Sequence, residues 1–205
     1  MSAALKLVPP STEKRTIVTP RRQPNRELRT REYLTEDEVN SLMAAARENR
    51  EGHRDATMIL MAFRHGLRAS ELVDLRWDQV DFSQATLAVR RLKNGTPATH
   101  QIKGDELRAL RRLQREAPKS PFLFVSMRGA PFTVSGFRRM IERASLDAGL
   151  EIKAHPHMLR HATGFYLANK GTDTRTIQGY MGHRNIQNTV VYTALSPNRF
   201  KGLWD

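Results

Sequence analysis

Three short stretches of this 205-residue chain combine cations and proton carriers at spacings that place them on one helical face. The first is Gly66-Leu67-Arg68-Ala69-Ser70-Glu71-Leu72, in which Arg68 and Glu71 stand three apart, so that on a helix the carboxylate can orient the guanidinium. The second is His155-Pro156-His157-Met158-Leu159-Arg160-His161, where His157 and Arg160 repeat that spacing. The third is Gly182-His183, followed nine residues later by Tyr192 and then Thr193. Arginine binds anions and histidine and tyrosine move protons, so together these stretches could handle an anionic substrate with proton transfer. Taken singly, each also fits an ordinary role: a surface ion pair for Arg68 and Glu71, a first-turn residue for His157, a half-buried tyrosine for Tyr192.

The composition points the same way. Lys and Arg number 34 against 21 Asp and Glu, a formal charge of +13 with pI near 10.8, which implies a polyanionic partner. The absence of cysteine excludes disulfides, a thiolate nucleophile, Fe–S clusters and cysteine-ligated zinc, and is compatible with a reducing cytoplasm. No apolar run approaches the roughly 20 residues of a membrane span, and the N-terminal apolar stretch is too short for a signal peptide. These features imply a soluble, cytoplasmic protein. With 39% hydrophobic residues the chain can bury a real core.

Charge is unevenly placed. Residues 1–31 carry eight basic side chains against Glu13 and Glu27, hence +6, together with four prolines and no apolar periodicity. This segment reads as an extended or disordered arm, and Arg21, Arg22, Arg26, Arg29 and Arg31 are its candidate contacts to the phosphates of a polyanion. A domain spanning 32–205, ending in a tail at 196–205, carries the remaining +7.

The elements that must position the three stretches are mostly helical. Thr35-Glu36-Asp37-Glu38 has the form of a capping box and opens a helix expected over Thr35 to Asn49. A second helix is expected over Arg54 to His65, ended by Gly66, and a short third over Ala69 to Asp74. Alternation over Thr86 to Arg91, a turn at Lys93-Asn94-Gly95 and a return over Pro97 to Ile102 predict a β-hairpin with a lysine at its tip. Helices are then expected over Asp105 to Glu116, Thr133 to Asp147, Pro156 to Asn169, Thr174 to Met181 and Ile186 to Leu195, with a short strand over Phe122 to Val125. The fold class is mainly α with a small β-hairpin or sheet, α+β.

In order and spacing the motifs GLRASEL, HMLRH and MGHRNIQNTVVYT, with Lys93 in the hairpin, resemble the catalytic domain of the tyrosine recombinases, the phage integrases. The flanking residues and the ending RFKGLWD look most like the small fimbrial phase-variation invertases within that family. The resemblance runs from about Tyr33 to Asp205 and implies a site-specific DNA recombinase acting by inversion, integration or excision. It assigns Tyr192 as the nucleophile that forms a 3′-phosphotyrosyl bond, and Arg68 and Arg160 as the holders of the non-bridging oxygens. His157 would accept the phenol proton, Lys93 would protonate the leaving 5′-oxygen, and His183 would donate to the phosphate. Glu71 would orient an arginine and His157, and His161 would support Arg160. No cofactor, no metal and no ATP are implied. The partner is double-stranded DNA, with self-association into dimers or tetramers through the tail.

Larger family members carry a core-binding domain ahead of the catalytic one; here only the arm precedes it, which is the pattern of the small invertases. Two rival functions share the residues: a type IB-like topoisomerase, and a non-cleaving DNA-binding regulator. Tyr180 is the rival nucleophile and reads as a packing residue, because it precedes the Gly-His pair. His155, His157 and His161 do not read as a metal site, since no carboxylate or cysteine joins them at ligand spacing.

Overall fold

Helices form where the sequence supplies both a start signal and an apolar stripe. A computed structural model describes residues 31–91, 95–117 and 119–196. Helix α1 (Glu36–Arg47) opens on Thr35, whose Oγ1 accepts the Glu38 N–H at 3.3 Å while the Glu38 carboxylate accepts the Thr35 N–H at 2.8 Å. Two donors that a helix start would leave unpaired are thus satisfied reciprocally. Its buried residues, Val39, Leu42, Met43 and Ala46, are the stripe read from the sequence.

Helix α2 (Gly52–Arg64) begins two residues ahead of its expected start and is buried on more than one face, adding Met58, Met61 and Ala62 to Ala56, Ile59 and Phe63. It is the central helix, packed against α1, α4 (Gly104–Glu116) and α6 (Pro156–Asn169). Gly66 follows it at φ +55°, and the Leu67 N–H returns to the Ala62 carbonyl at 3.1 Å, a closing turn that only glycine adopts cheaply. The chain then enters α3 (Ala69–Val73).

A 3₁₀ turn (Trp77–Gln79) leads into an antiparallel meander of β1 (Val80–Asp81), β2 (Thr86–Val89) and β3 (Ala98–Gln101), in the order β1-β2-β3. Pairing runs Val80↔Leu87 and Asp81↔Thr86, then Thr86↔Gln101 to Val89↔Ala98. β1 was not expected: two residues offer no alternation to read. The strand expected over Phe122 to Val125 is absent among the described residues. Leu123, Phe124 and Val125 are buried there, but the segment makes only isolated bridges, Arg76↔Phe122 and Val125↔Pro131, because no strand runs alongside it.

Helices α5 (Val134–Asp147), α6, α7 (Thr174–Met181) and α8 (Gln187–Ala194) complete the fold. The main core gathers Met58, Ile59, Leu72, Leu87, Leu110, Phe124, Phe137 and Leu159. A smaller cluster of Phe165, Ala168, Ile177, Met181 and Tyr192 seats α7 and α8 on α6. No helix among the described residues is long and apolar enough to cross a membrane.

Candidate active site

The three stretches meet on one cleft of about 370 Å³, lined by Arg68, His157, Arg160, His161, His183, Gln187, Asn188, Val191 and Tyr192. Arg68 stands at the mouth of α3. Its backbone N–H donates to Glu71 Oε2 at 3.0 Å and its Nη1 to Glu71 Oε1 at 2.6 Å, so the spacing of three does orient the guanidinium.

Arg160 enters from α6 and is 1% exposed. Its Nη1 donates to the Gly66 carbonyl and its Nη2 to the Met181 carbonyl at 2.7 Å, tying α6 to the end of α2 and the end of α7. Burial, then the neighbouring Arg68 and Arg91, lower its pKa to about 9, which leaves it a cation at neutral pH. His183 follows Gly182, whose φ of +64° ends α7, and pairs its Nδ1 with Thr189 Oγ1 at 2.9 Å.

Tyr192 is not half-exposed as an ordinary surface tyrosine would be; it is 2% exposed and part of the smaller core cluster. Its ring stands edge-on to Phe165 and lies over α6 at Gly164, where an added Cβ would fall 2.5 Å from the ring. Mid-helix glycine costs about 1 kcal/mol relative to alanine, and the tyrosine occupies the space that cost releases. Burial raises the phenol pKa, and Arg160 and Arg68 oppose the rise.

The phenol oxygen pairs with His161 Nδ1 at 3.0 Å. This differs from the expectation, which gave the proton-accepting place to His157 and made His161 a support for Arg160. His161 lies four positions after His157, one helical turn, and it is the second imidazole that reaches Tyr192. His157 stands edge-on to His161 at 4.4 Å between ring centroids. Glu71 also differs in its partners: besides Arg68 it accepts from Arg91 Nη1 at 2.9 Å. Burial pushes Glu71 upward, but the Arg68 N–H and the two guanidiniums outweigh it and hold the carboxyl below its ordinary range.

Arg91 is the residue that sequence reasoning missed. Leu87, Val89 and Arg91 occupy successive inward positions of one alternating run, so the signal was there: an arginine at an inward position requires a buried anion. Tyr180 is a packing residue, with its hydroxyl donating to the Arg64 carbonyl at 2.7 Å, its ring stacked on His100, and its pKa raised to about 12 by burial. Lys93, Arg21, Arg22, Arg26, Arg29 and the tail residues 197–205 lie outside the described residues, and Arg31 is the first residue described.

Three imidazoles are held neutral. Burial, then neighbouring cations or imidazoles, lowers His161 and His183 to about 4, and burial with His65 and Arg91 lowers His100 to about 3. Because these folded-state values lie below 6.5, the unfolded chain binds more protons as the pH falls past 6.5. Stability is therefore full above that pH and is lost as pH falls toward 4. Urea midpoints measured from pH 7.5 to 4.5 are expected to drop steadily, with an uptake on unfolding that rises to about three protons around pH 5. A midpoint constant across that range would contradict this.

Matches to known proteins identify the family and the fold. The family model described as "Phage integrase family" matches residues 32–199. The type 1 fimbriae regulatory protein FimE of Escherichia coli K12 is 44% identical over 181 residues, covering 85% of this chain and 91% of FimE. Tyrosine recombinase XerA of Pyrococcus furiosus is 33% identical over 175 residues, covering 82% of this chain and 59% of XerA. Among solved structures, the crystal structure of XerA recombinase superposes with a TM-score of 0.72 at 28% identity, covering 84% of this chain and 63% of that one. A lambda integrase dimer bound to a core site shares the fold at a TM-score of 0.64 and 20% identity, over 76% of this chain and 59% of its own. The chain belongs to the phage integrase family, and the cleft that joins its three motif stretches lies in a tyrosine-recombinase catalytic domain.

Proposed function

We propose that the protein recombines DNA at specific sites, Tyr192 attacking a scissile phosphate to leave a 3′-phosphotyrosyl bond and a free 5′-hydroxyl. The observation that carries this is the pairing of the Tyr192 hydroxyl with neutral His161 in the same cleft as Arg68 and Arg160. A phosphodiester gains negative charge on its oxygens as the nucleophile adds, and two fixed guanidiniums stabilise that charge better than lysines could. His161 takes the phenol proton, with His157 beside it; His183 donates to the phosphate. Lys93 protonates the departing 5′-oxygen.

Attack by a second strand's 5′-hydroxyl on the phosphotyrosine reverses the chemistry with the bond energy retained, so neither ATP nor a metal is needed. The names of the relatives support site-specific recombination, and the solved complexes with DNA support duplex DNA as the partner. Fimbrial relatives favour inversion among the outcomes. The +6 arm is proposed to track phosphates, and deleting residues 2–31 is expected to flatten the salt dependence of DNA binding. The apolar tail residues Phe200, Leu203 and Trp204 are proposed to join protomers on DNA; a truncation after Thr193 that still assembles would end that idea. The place of action is the cytoplasm.

The decisive experiment incubates the protein with a duplex nicked beside the crossover, in EDTA and without ATP, and looks for a protein–DNA adduct stable to detergent. An adduct mapped to the Tyr192 peptide supports the proposal. Binding with no adduct on a mapped site would instead favour the non-cleaving regulator, and relaxation of plasmids lacking any site would favour the topoisomerase.

Gly164→Ala tests the seat of the nucleophile. The new methyl occupies the tyrosine ring's place, so the phenol shifts off His161. Adduct formation is expected to slow roughly tenfold or more, because a displacement near 1 Å already spoils the attack geometry. Thermal stability should fall as well, because overpacking and the loss of the ring from the cluster that seats α8 outweigh the gain of about 1 kcal/mol in helix propensity.

A further inference from the structure

Arg91, two residues beyond β2, lies beneath the cleft rather than in its lining, and its side chain is wholly enclosed. Among the described residues, its hydrogen bonds reach Gly66 and Glu71 of the first stretch, His65 just before it, and Tyr180 ahead of Gly182. Nη1 donates to Glu71 Oε2 at 2.9 Å and to the Gly66 carbonyl at 3.3 Å; Nη2 donates to the Tyr180 carbonyl at 2.5 Å and the His65 carbonyl at 3.2 Å. Its stem is boxed in by two glycines. A Cβ on Gly182 would lie 2.7 to 2.9 Å from Arg91 Cγ, Nε and Cδ, and one on Gly95 would lie 2.7 Å from Arg91 Cβ.

Such burial needs a reason, because an enclosed guanidinium is costly unless an anion and several acceptors meet it. The arrangement around Glu71 supplies one. Its Oε1 lies on Arg68 at 2.6 Å, its Oε2 on Arg91 at 2.9 Å, and the same Oε2 is 4.0 Å from Arg160 Nη1. One carboxylate thus sits among three guanidiniums. Were Arg91 absent, Oε2 would be drawn the short distance onto Arg160, and Glu71 would bridge and neutralise the two arginines that face the cleft. The Gly66 carbonyl, shared by Arg91 and Arg160, would then be held by Arg160 alone.

We propose that Arg91 is a positioning residue: it occupies Glu71 Oε2 and shares the Gly66 carbonyl, so that Arg68 and Arg160 keep donors and charge for a phosphate oxyanion. This rests on the reading of the cleft as a phosphate site. It predicts an effect opposite to that of a simple structural tether. Removing Arg91 and the Glu71 charge together should restore what removing Arg91 alone destroys.

The test uses the full chain and inorganic phosphate as the probe, following the Arg68 and Arg160 Nε–Hε signals in ¹H–¹⁵N spectra, with thermal unfolding recorded for each protein. The wild type is expected to show saturable shifts at both arginines. Arg91→Met should bind phosphate about tenfold more weakly or worse, and Arg91→Lys should fall between, since one ammonium cannot serve four acceptors. Arg91→Met with Glu71→Gln should return to within about threefold of wild type, because the carboxylate that would bridge and neutralise Arg68 and Arg160 is gone. If Arg91→Met does not fold, Arg91→Lys with and without Glu71→Gln gives the same comparison. Unaltered phosphate binding in a folded single variant, or a double variant no tighter than the single, overturns the proposal while leaving the phosphate site standing. A wild type without any phosphate-dependent shift removes the phosphate reading itself, and the proposal with it.

Discussion

Tyr192→Phe is expected to form no covalent adduct with nicked duplex, a loss of at least about 10⁴-fold in single-turnover cleavage, while binding the same DNA with unchanged affinity. The substitution deletes one oxygen and nothing else. The ring keeps its place over Gly164 and against Phe165, so the apolar seat of α8 survives. What is lost is the hydrogen bond to His161 Nδ1, worth about 1 kcal/mol, so the thermal midpoint should move by only a few degrees. The pairing of large catalytic loss with small stability loss is the informative part. Tyr180→Phe supplies the contrast, because its hydroxyl serves the Arg64 carbonyl and lies off the cleft lining. That variant should lose some stability and retain adduct formation. An adduct persisting in Tyr192→Phe and vanishing in Tyr180→Phe would reverse the assignment of nucleophile.

The helices were legible because their signals are local. Thr35 with Glu38 announces α1, Gly66 ends the turn after α2, Pro156 opens α6 and Gly182 closes α7, each through chemistry within four residues. The short β1 escaped and the segment from Phe122 was over-read as a strand, because strand identity depends on a partner distant in sequence. The site divides the same way. Arg68 and Glu71 are neighbours on one turn, and their contact follows from spacing. Which of His157 and His161 meets Tyr192 depends on how α8 packs on α6, and spacing alone could not separate two imidazoles one turn apart. Arg91 was visible only by joining two levels, the alternation of β2 and the need of a buried cation for an anion.

The electrostatics of the cleft explain how so basic a chain can keep the cleft's imidazoles and phenol in the protonation states that the proposed chemistry requires. Arg68, Arg91 and Arg160 against Glu71 leave a cationic floor; burial first, then that floor for His183, and His157 with Arg160 for His161, keep these imidazoles neutral. A neutral imidazole can accept the phenol proton; a charged one could not. The same field lowers the cost of forming phenolate, opposing the rise that burial imposes on Tyr192. Phosphate entering such a site adds the negative charge that the arginines lack.

Arg160→Met should therefore be the most damaging change among the anion-binding residues, with a loss of about 10³-fold in cleavage. Two effects add. The guanidinium leaves the phosphate without one charged fork, and the Gly66 and Met181 carbonyls lose their donor, which loosens α6 from the ends of α2 and α7. The second effect should cost on the order of 2–4 kcal/mol of stability. Arg160→Lys should recover little, because an ammonium on a flexible stem cannot hold both carbonyls and still present a planar face to phosphate. Chemistry and folding can be separated by placing a methylphosphonate at the scissile position. That phosphorus centre lacks one anionic oxygen and so needs less cationic help. At a temperature where both proteins are folded, the gap between wild type and Arg160→Met should shrink by about tenfold or more on the neutral substrate. A gap of equal size on both substrates would mean that Arg160 acts only by holding α6 in place.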